Sequence, residues 1–419
     1  MRPYDFKSVS VIGMGYIGLP TAAFLASAGI DTIGVDIDSS KIDDINNGIV
    51  PFVEPDFDEF FSKVLRAGTL KAQTTVPDTD AYVIAVPTPL TDQHGVDLRY
   101  VKSAVEAIAP VVQPGNLIVL ESTSPPGTTL KIREMLSDIC RGFGRGPDLI
   151  DEILVAHCPE RVLPGKIMKE MKENDRVVGG INPQSAEAAR ALYSRFCSGE
   201  IMLTDSKTAE MVKLVENSFR DVNIAFANEL SLICESLNVN VWKLIEMANH
   251  HPRVKILTPG PGVGGHCIAV DPWFLVEAVP SQARLIRTAR EVNDAKPGQV
   301  VAKISQLIEN HGVLSIGLLG LAFKADIDDL RESPSVSIAQ AAATLHPNVD
   351  FLISEPYIEQ LPEELRQLPN VFLRDTDEVI NSVEAAVLLV DHQEFKDSTR
   401  IKAFSKSWVD TRGIFEHWN

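Results

Sequence analysis

The chain has 419 residues, of which 45% are hydrophobic and 23% are charged, as in an ordinary soluble globular protein. This length predicts two or three domains rather than one hydrophobic core. The 39 basic and 57 acidic residues give a net charge of −18, which argues against nucleic acid or an anionic membrane as a partner because phosphate surfaces would repel it.

The five cysteines are odd in number, widely spaced and without a CxxC pair. They predict neither a disulfide framework nor a zinc site, and they favour a reducing compartment. No apolar stretch approaches the roughly 20 residues of a membrane span, and the first ten residues lack an apolar signal region. These features predict a cytoplasmic protein without a membrane partner.

The first part of the chain alternates short apolar runs with helical patterns. Strands are predicted at 9–12, 32–35, 82–86, 117–120 and 153–156, and a helix is predicted at 19–28. Alternation of this kind is typical of a parallel sheet with helices on both faces.

The middle of the chain is predicted to be helical. Residues 207–237 contain no Gly or Pro and predict one helix, which at about 1.5 Å per residue would be roughly 45 Å long. Shorter helices are predicted at 241–248 and 282–294.

From residue 313 the alternation returns, with strands predicted at 313–318, 350–353, 385–390 and 408–410 and a helix at 335–345. The predicted fold class is therefore α/β, with two Rossmann-like doubly wound domains joined by a long central helix and a helical middle region. The predicted domains are 1–200, 201–300 and 301–419.

A dinucleotide fingerprint opens the chain. Gly13, Gly15 and Gly18 form G-x-G-x-x-G directly after a predicted strand, and the glycines allow a tight turn, an approach to the pyrophosphate and close helix packing. Asp36 ends the next predicted strand, where a carboxylate accepts from a ribose 2′-hydroxyl and would repel a 2′-phosphate. The pattern predicts NAD rather than NADP, although Asp36 could also be a simple turn residue.

Two further segments follow predicted strands of the same sheet. Thr88 lies in Val-Pro-Thr-Pro and Thr123 in Glu-Ser-Thr-Ser. Both are expected at the carboxyl edge of the sheet, where ligands bind in such folds. Pro and Thr also shape ordinary turns, so each segment is a weak indication by itself.

The sequence Gly-Val-Gly-Gly-His-Cys-Ile-Ala-Val-Asp at 262–271 indicates covalent chemistry. The thiol of Cys267 follows a glycine-rich bend and can hold a carbonyl carbon covalently, with the carboxylate of Asp271 four residues later. Together with a hydride acceptor, such a cysteine suggests that an alcohol is oxidised past the aldehyde to the acid. An inert cysteine is the alternative.

Further candidates lie on the long helix and in the segment 158–165. Lys213, Asn217 and Arg220 share one helix face and could serve acid–base chemistry or hold an oxyanion, although a solvated charged face is the alternative. Glu160 could act as a base or orient water, and Arg161 could hold a phosphate or carboxylate; a surface ion pair is the alternative. No metal site is predicted, because the adjacent histidines at 250 and 251 lack a third ligand at a convincing spacing.

Taken together, these segments resemble the UDP-sugar 6-dehydrogenases of the UDP-glucose/GDP-mannose dehydrogenase family over nearly the whole chain. The segments that carry the resemblance are 13–18, 121–127, 158–165, 210–229, 262–271 and 320–334. The chain departs from the UDP-glucose dehydrogenases at Pro164, where those enzymes usually have a second acidic residue. Lys41 stands where relatives often carry Arg.

The resemblance implies roles for individual residues. The catalytic candidates are Cys267 as nucleophile, Lys213 as acid, base or oxyanion group, Asn217, Asp271, Glu160 and Thr123. The cofactor candidates are Gly13, Gly15, Tyr16, Ile17, Gly18, Asp36, Lys41, Thr88, Thr123 and Arg331, the last across a dimer. The substrate candidates are Arg161, Val162, Lys213, Asn217, Arg220, His251 from a neighbouring subunit, Arg253, Gly264, Phe323 and Lys324.

The implied reaction is an NAD-dependent four-electron oxidation at C6 of a UDP-sugar, through a cysteine thiohemiacetal and thioester, for cell-surface polysaccharide synthesis. UDP-N-acetyl-D-mannosamine is the expected substrate, and UDP-N-acetylglucosamine and UDP-glucose are the alternatives. A homodimer through the 207–237 helix is also implied. Two different classes stay open: a two-electron hydroxyacid dehydrogenase, against which Cys267 and the C-terminal domain argue, and a non-catalytic nucleotide sensor, which should have lost Cys267 or Lys213.

Overall fold

A computed structural model describes residues 4–91, 95–144, 147–265 and 267–414. The chain divides into two compact units, of which the first ends at Glu216 and the second begins at Asn217. The division of the sequence into domains at 1–200, 201–300 and 301–419 stays a prediction.

The strands and helices follow in chain order. The strands are β1 Ser8–Ile12, β2 Asp31–Val35, β3 Leu70–Gln73, β4 Ala81–Ile84, β5 Leu117–Leu120, β6 Leu154–His157, β7 Arg176–Gly180, β8 Ile201–Asp205, β9 Ser315–Leu319, β10 Asp350–Ser354, β11 Val371–Leu373, β12 Ala385–Leu388 and β13 Ser407–Asp410. The helices are α1 Gly18–Ser27, α2 Ser39–Asn46, α3 Phe57–Ala67, α4 Arg99–Ile108, α5 Thr128–Gly142, α6 Pro147–Glu152, α7 Ile167–Glu173, α8 Pro183–Tyr193, α9 Ser206–Ser236, α10 Val241–Asn249, α11 Asp271–Ala278, α12 Arg284–His311, α13 Pro334–Leu345, α14 Glu363–Arg366, α15 Thr376–Ser382, α16 Gln393–Asp397 and α17 Thr399–Ala403.

In the described part of the first unit, the sheet has the order β3-β2-β1-β4-β5-β6-β7-β8. Its strands pair in parallel except at β6–β7, where the pairing is antiparallel. Successive residues of a strand enter different hydrophobic cores: Val83 packs with one and Ile84 with the other. Both faces of the sheet are therefore buried under helices, as a doubly wound fold requires.

The described part of the second unit contains a parallel sheet in the order β11-β10-β9-β12-β13. Neighbouring residues of β9 again enter separate cores, with Leu318 on one face and Leu319 on the other. The predicted α/β class with two Rossmann-like sheets is confirmed, as is the long helix, which is α9. Among the described helices, none combines the length and apolar character that crossing a lipid bilayer requires.

The predicted end of the 282–294 helix was wrong. Helix α12 continues to His311 through Pro297, a residue that normally ends or kinks a helix because it removes a hydrogen-bond donor. Tertiary packing offsets that loss here: a Cβ built on Gly262 would lie only 3.1 Å from Cγ of Pro297, so the proline ring packs directly against the glycine-rich loop.

Candidate active site and cofactor site

The turn after β1 has the geometry that a dinucleotide requires. Gly13 has φ +95°, and a Cβ there would lie 2.5 Å from the carbonyl oxygen of Ala85. A Cβ on Gly18 would collide with the backbone of Gly13. At Gly15, by contrast, no described atom lies within 4 Å of the Cβ position, which leaves room for a phosphate close to the backbone. The residues present therefore fit a dinucleotide.

Asp36 lies directly after β2 and is held by several donors. Its Oδ2 atom accepts from the backbone N–H of Met14 (2.9 Å) and from Nζ of Lys41 (2.9 Å), and Oδ1 accepts from the N–H of Asp38 (3.1 Å). Burial raises the pKa of this carboxyl, but the hydrogen bonds from Lys41, Asp38 and Met14 outweigh burial and lower the pKa below 3.8. The side chain is thus an ionised acceptor beside the glycine turn, and Lys41 is its cationic partner.

The remaining cofactor candidates of the first unit surround the same end of the sheet. The hydroxyl of Thr88, after β4, donates to the carbonyl oxygen of Thr123, after β5 (2.7 Å), so the structure brings these two candidates together. Ile17 directly precedes α1. The Tyr16 hydroxyl donates to Oε2 of Glu54 (2.6 Å).

Lys213 is fixed by the segment that follows β6. Its Nζ donates to the backbone carbonyl oxygen of Glu160 at 2.7 Å. The Glu160 carboxylate is buried and occupied: Oε1 accepts from the N–H groups of Arg161 (2.7 Å) and Val162 (3.1 Å), and Oε2 pairs with Arg176 (2.9 Å). Its part as a base or in orienting water stays a prediction, and the structure adds a part in holding the loop that contacts Lys213.

The guanidinium of Arg161 is already paired with protein groups in this conformation, so it is not free to bind an anionic ligand. Its guanidinium pairs with Glu216 at 2.7 Å and also donates to the carbonyl oxygen of Asp175. The surface ion pair that the sequence left open is therefore present. Its expected contact with substrate stays a prediction.

A buried polar cluster behind this loop was not predicted from the sequence. Arg176, in β7, lies under Glu160 with its guanidinium over the rings of Tyr193 (5.1 Å) and Phe196 (5.3 Å). Glu121 accepts from Oγ1 of Thr21 (2.9 Å) and from the Tyr193 hydroxyl (3.0 Å). Burial, followed by the charge of Glu160, raises the pKa of Glu121 to about 7.

His157, the last residue of β6, lies near Lys213. Burial and then the charge of Lys213 lower the pKa of this imidazole to about 3, so the ring is neutral at physiological pH. The residue type gave no signal in sequence, because a histidine at a strand end is ordinary.

In the second unit, the structure brings Cys267, Asp271 and Asn217 together. The N–H of Asp271, the first residue of α11, donates to the carbonyl oxygen of Cys267 (2.8 Å), which fixes the backbone of the thiol-bearing residue to the start of this helix. The buried Asp271 carboxylate accepts from Nδ2 of Asn217 at 2.5 Å. Cys267 is partly exposed; His266, which precedes it in the motif, lies outside the described residues.

The glycines before Cys267 let this loop pack on the segment 320–334. A Cβ on Gly264 would lie 2.8 Å from Cβ of Phe323, and one on Gly265, where φ is +78°, would lie 3.1 Å from the Phe323 ring. Two substrate candidates, Gly264 and Phe323, are therefore neighbours. Glu355 anchors the segment by accepting from the N–H groups of Leu321 (2.7 Å) and Ala322 (2.9 Å).

The remaining candidates of the second unit lie on its surface. Arg220, Arg253, His251 and Lys324 are exposed. The guanidinium of Arg331 donates to both carboxylate oxygens of Asp329, at 2.9 and 2.6 Å from Nε and Nη2. Exposure fits a contact with a ligand or a second subunit, and their roles stay predictions.

Comparison with known proteins gives matches along almost the whole chain. Three domain descriptions of one family match: the NAD binding domain over residues 7–197, the central domain over 207–295 and the UDP binding domain over 317–417. The chain belongs to the UDP-glucose/GDP-mannose dehydrogenase family. It is accordingly an NAD-dependent oxidoreductase of UDP-sugars, and the predicted cofactor is confirmed.

Individual relatives cover the full length as well. The chain is 50% identical to an NDP-N-acetyl-D-galactosaminuronic acid dehydrogenase of Ralstonia nicotianae, over 98% of this chain and 97% of that protein. It is 49% identical to UDP-N-acetyl-D-mannosamine dehydrogenase of Escherichia coli K12, over 98% and 100%. The solved structure of UDP-D-ManNAc dehydrogenase from Pyrococcus horikoshii superimposes with a TM-score of 0.85 at 38% identity, over 97% and 96% of the chains.

Proposed function

We propose that this enzyme oxidises the C6 alcohol of UDP-N-acetyl-D-mannosamine to the carboxylate. Full-length identity of 49% to a relative of that name supports the substrate, and the Cys267 loop supports oxidation beyond the aldehyde. The uronic acid product would serve cell-surface polysaccharide synthesis. The cytoplasmic location predicted from the sequence stays a prediction.

A second candidate substrate is the N-acetyl-D-galactosamine counterpart. It is favoured by the relative with 50% identity, whose name refers to N-acetyl-D-galactosaminuronic acid. UDP-N-acetylglucosamine and UDP-glucose complete the set of candidate substrates. NADH formation measured with all four UDP-sugars at equal concentration tests the choice: we expect the highest kcat/KM with UDP-N-acetyl-D-mannosamine, and a higher value with another sugar would overturn the substrate assignment.

Cys267 makes the second oxidation possible by holding the aldehyde covalently. Two NAD molecules, bound in turn, would supply the hydride acceptors, the first for the alcohol and the second for the thiohemiacetal. After the first oxidation, the sulfur of Cys267 bonds to the aldehyde carbon and forms the thiohemiacetal, whose oxidation leaves a thioester. Water then attacks the thioester carbon, the carbon–sulfur bond breaks, and carboxylate and free thiol are released. Covalent attachment keeps the reactive aldehyde on the protein.

Polar groups around these steps have distinct proposed parts. Lys213 exchanges the alcohol proton and stabilises oxyanions, because its ammonium is already oriented by the carbonyl of Glu160. Asn217 adds a donor, and Asp271, to which Asn217 is hydrogen-bonded, orients the attacking water. Glu160 positions the loop of Lys213, with its carboxylate held by Arg176, and Thr123 lies at the cofactor edge of the sheet.

The chain's own residues also define where each ligand would be held. The backbone of Gly13, Gly15, Tyr16, Ile17 and Gly18 would receive the pyrophosphate of NAD, with Asp36 on the adenosine ribose and Lys41 and Thr88 nearby. The UDP-sugar would contact Arg161, Val162, Arg220, Arg253, Gly264, Phe323 and Lys324. His251 and Arg331 would act across a subunit boundary.

The proposed assembly is a homodimer through α9. Phe219, Phe226 and Ile233 lie on one face of this helix, and Leu237 directly follows its last residue; each is between 47 and 68% exposed. Three of them recur at seven-residue intervals, the spacing of a helix–helix seam. Sedimentation velocity tests the proposal: we expect a dimer, converted to monomer by Phe226→Asp. A monomeric parent protein would contradict it.

A further inference from the structure

Glu54 is a buried carboxylate outside every motif of the sequence, and it receives three hydrogen bonds. Its Oε2 atom accepts from the Tyr16 hydroxyl at 2.6 Å and from the N–H of Gly165 at 2.9 Å. Its Oε1 atom accepts from the N–H of Ile167 at 2.8 Å. Only 5% of the residue is exposed. Both oxygens are therefore committed to two separate segments of the first unit.

One of these segments is the dinucleotide turn. Tyr16 stands between Gly15 and Ile17, where the backbone is shaped for a pyrophosphate, and its ring packs on Phe52 with centroids 4.8 Å apart. The hydroxyl reaches Glu54 across 38 residues of sequence. A shift of the turn on binding NAD would therefore act directly on the Glu54 carboxylate.

The second segment is the loop that contains proposed substrate contacts. Gly165 and Ile167 lie a few residues after Arg161 and Val162 on the same segment, and the N–H groups of Arg161 and Val162 are held by Glu160. The loop is thus fixed at one end by Glu160 and at the opposite end by Glu54. Because Gly165 and Tyr16 donate to the same oxygen of Glu54, a movement of this carboxylate changes both hydrogen bonds together.

We infer that Glu54 is a positioning residue that couples cofactor binding to UDP-sugar binding. This inference rests on the proposed function, because it takes the 158–165 segment as part of the sugar site. When NAD orders the turn, it fixes Tyr16 and, through Glu54, the substrate loop, which raises the affinity for the UDP-sugar. Thermodynamic linkage then requires the UDP-sugar to raise the affinity for NAD by the same factor.

The test measures that factor by calorimetry, with NADH and UDP-N-acetyl-D-mannosamine as probes, since this pair forms a ternary complex without turnover. Each ligand is titrated alone and in the presence of its partner ligand. Tyr16→Phe removes one hydroxyl and leaves both backbone bonds of Glu54, so the fold is retained. We expect this variant to lower the coupling factor roughly 2- to 10-fold, which is the scale of the loss of one hydrogen bond.

A double-mutant cycle separates coupling from simple stabilisation. Glu54→Gln should lower the coupling factor, and combining it with Tyr16→Phe should add nothing further, because both remove the same connection. Tyr4→Phe, a tyrosine of the same unit whose ring stacks on Phe6, should leave the factor unchanged.

The failure of this inference can be distinguished from the failure of the proposed function. A coupling factor that is unchanged in Tyr16→Phe and Glu54→Gln, with only the melting temperature lowered, would make Glu54 purely structural and overturn the inference. Wild-type protein that does not bind UDP-N-acetyl-D-mannosamine would instead overturn the proposed substrate.

Discussion

The ammonium of Lys213 donates to the main-chain carbonyl oxygen of Glu160, while the carboxylate of the same glutamate pairs with Arg176. The two ends of Glu160 therefore serve different partners. Since Lys213 depends on the backbone rather than the side chain, the contact should survive a change of the carboxylate.

Substitutions of Lys213 and Glu160 distinguish a positioning role of the Glu160 carboxylate from a role in proton transfer. Lys213→Met should lower kcat on the order of 10²–10³-fold, as expected for loss of an oxyanion donor. Glu160→Gln should lower kcat less than about 10-fold per folded molecule, because the loop keeps its main-chain acceptor. Initial rates are compared at saturating substrate and NAD.

The control for this comparison removes both buried charges. Glu160→Gln alone leaves Arg176 unpaired and should destabilise the fold, so the double variant with Arg176→Gln is assayed beside it. If Glu160→Gln and the double variant both lose about 10²–10⁴-fold in kcat, the carboxylate is a base and the positioning role is insufficient.

Cofactor preference should change at Asp36. Asp36→Ser removes the carboxylate that we propose to face the ribose and leaves Lys41 without its anionic partner. We expect the ratio of kcat/KM for NADP to that for NAD to rise at least about 10-fold, because a 2′-phosphate is no longer repelled. Thr75→Ser, on the loop after β3, is the control, and an unchanged ratio in Asp36→Ser would show that this carboxylate does not select the cofactor.

Glu121 should make stability depend on pH. Its pKa is about 7 in the folded chain against 4.5 unperturbed. Below pH 4.5 both states are protonated; from there to pH 7 the unfolded state loses the proton first, so the free energy of unfolding falls as pH rises. The loss is about 3 kcal/mol above pH 7.

The variant Glu121→Gln keeps one acceptor oxygen for the two hydroxyls of Thr21 and Tyr193, replaces the other oxygen with an amide group that can donate to a hydroxyl, and has no proton to lose. Its free energy of unfolding, measured in urea relative to the parent chain, should therefore improve as the pH is raised from 5 to 8. A difference that stays constant over this range would show that Glu121 titrates normally in the folded protein.

A buried ion pair should dominate the stability of the second unit. Asp221 and Arg290 are 2.5 Å apart and are 0 and 1% exposed. Asp221→Asn leaves the buried guanidinium with the partly exposed Asp294 as its ionic partner and should cost about 3–5 kcal/mol of unfolding free energy. Glu378→Gln breaks the exposed pair with Arg374 and should change it by no more than about 1 kcal/mol. Equal effects of the two substitutions would contradict the burial argument.

The local sequence pattern was sufficient to predict those features whose structure is determined by the residues of one short segment. The glycine turn, Asp36 and the uninterrupted α9 could be predicted because spacing and residue type alone impose them. Helix α12 was predicted too short, because the packing of Pro297 on Gly262 joins distant segments. Strand β8 was not predicted, because its apolar run is only three residues long and its residues are partly or fully exposed.

The buried polar partners were missed for a related reason. Glu54, Glu121 and Arg176 are residues that usually lie on the surface, and no local pattern distinguishes a buried carboxylate from a solvated one. Their partners are distant in sequence: the groups that donate hydrogen bonds to Glu54, for example, lie 38 to 113 residues away along the chain. Such networks follow from the topology of the sheet, and only the folded chain reveals them.

The most direct test of covalent catalysis by Cys267 is the number of NADH molecules formed for each UDP-sugar consumed, with the sugar product identified by mass. The account predicts two NADH and a uronic acid with wild-type enzyme, and no acid with Cys267→Ser although that variant still binds the UDP-sugar. One NADH and free aldehyde from the wild-type enzyme, or undiminished acid production by Cys267→Ser, would contradict it.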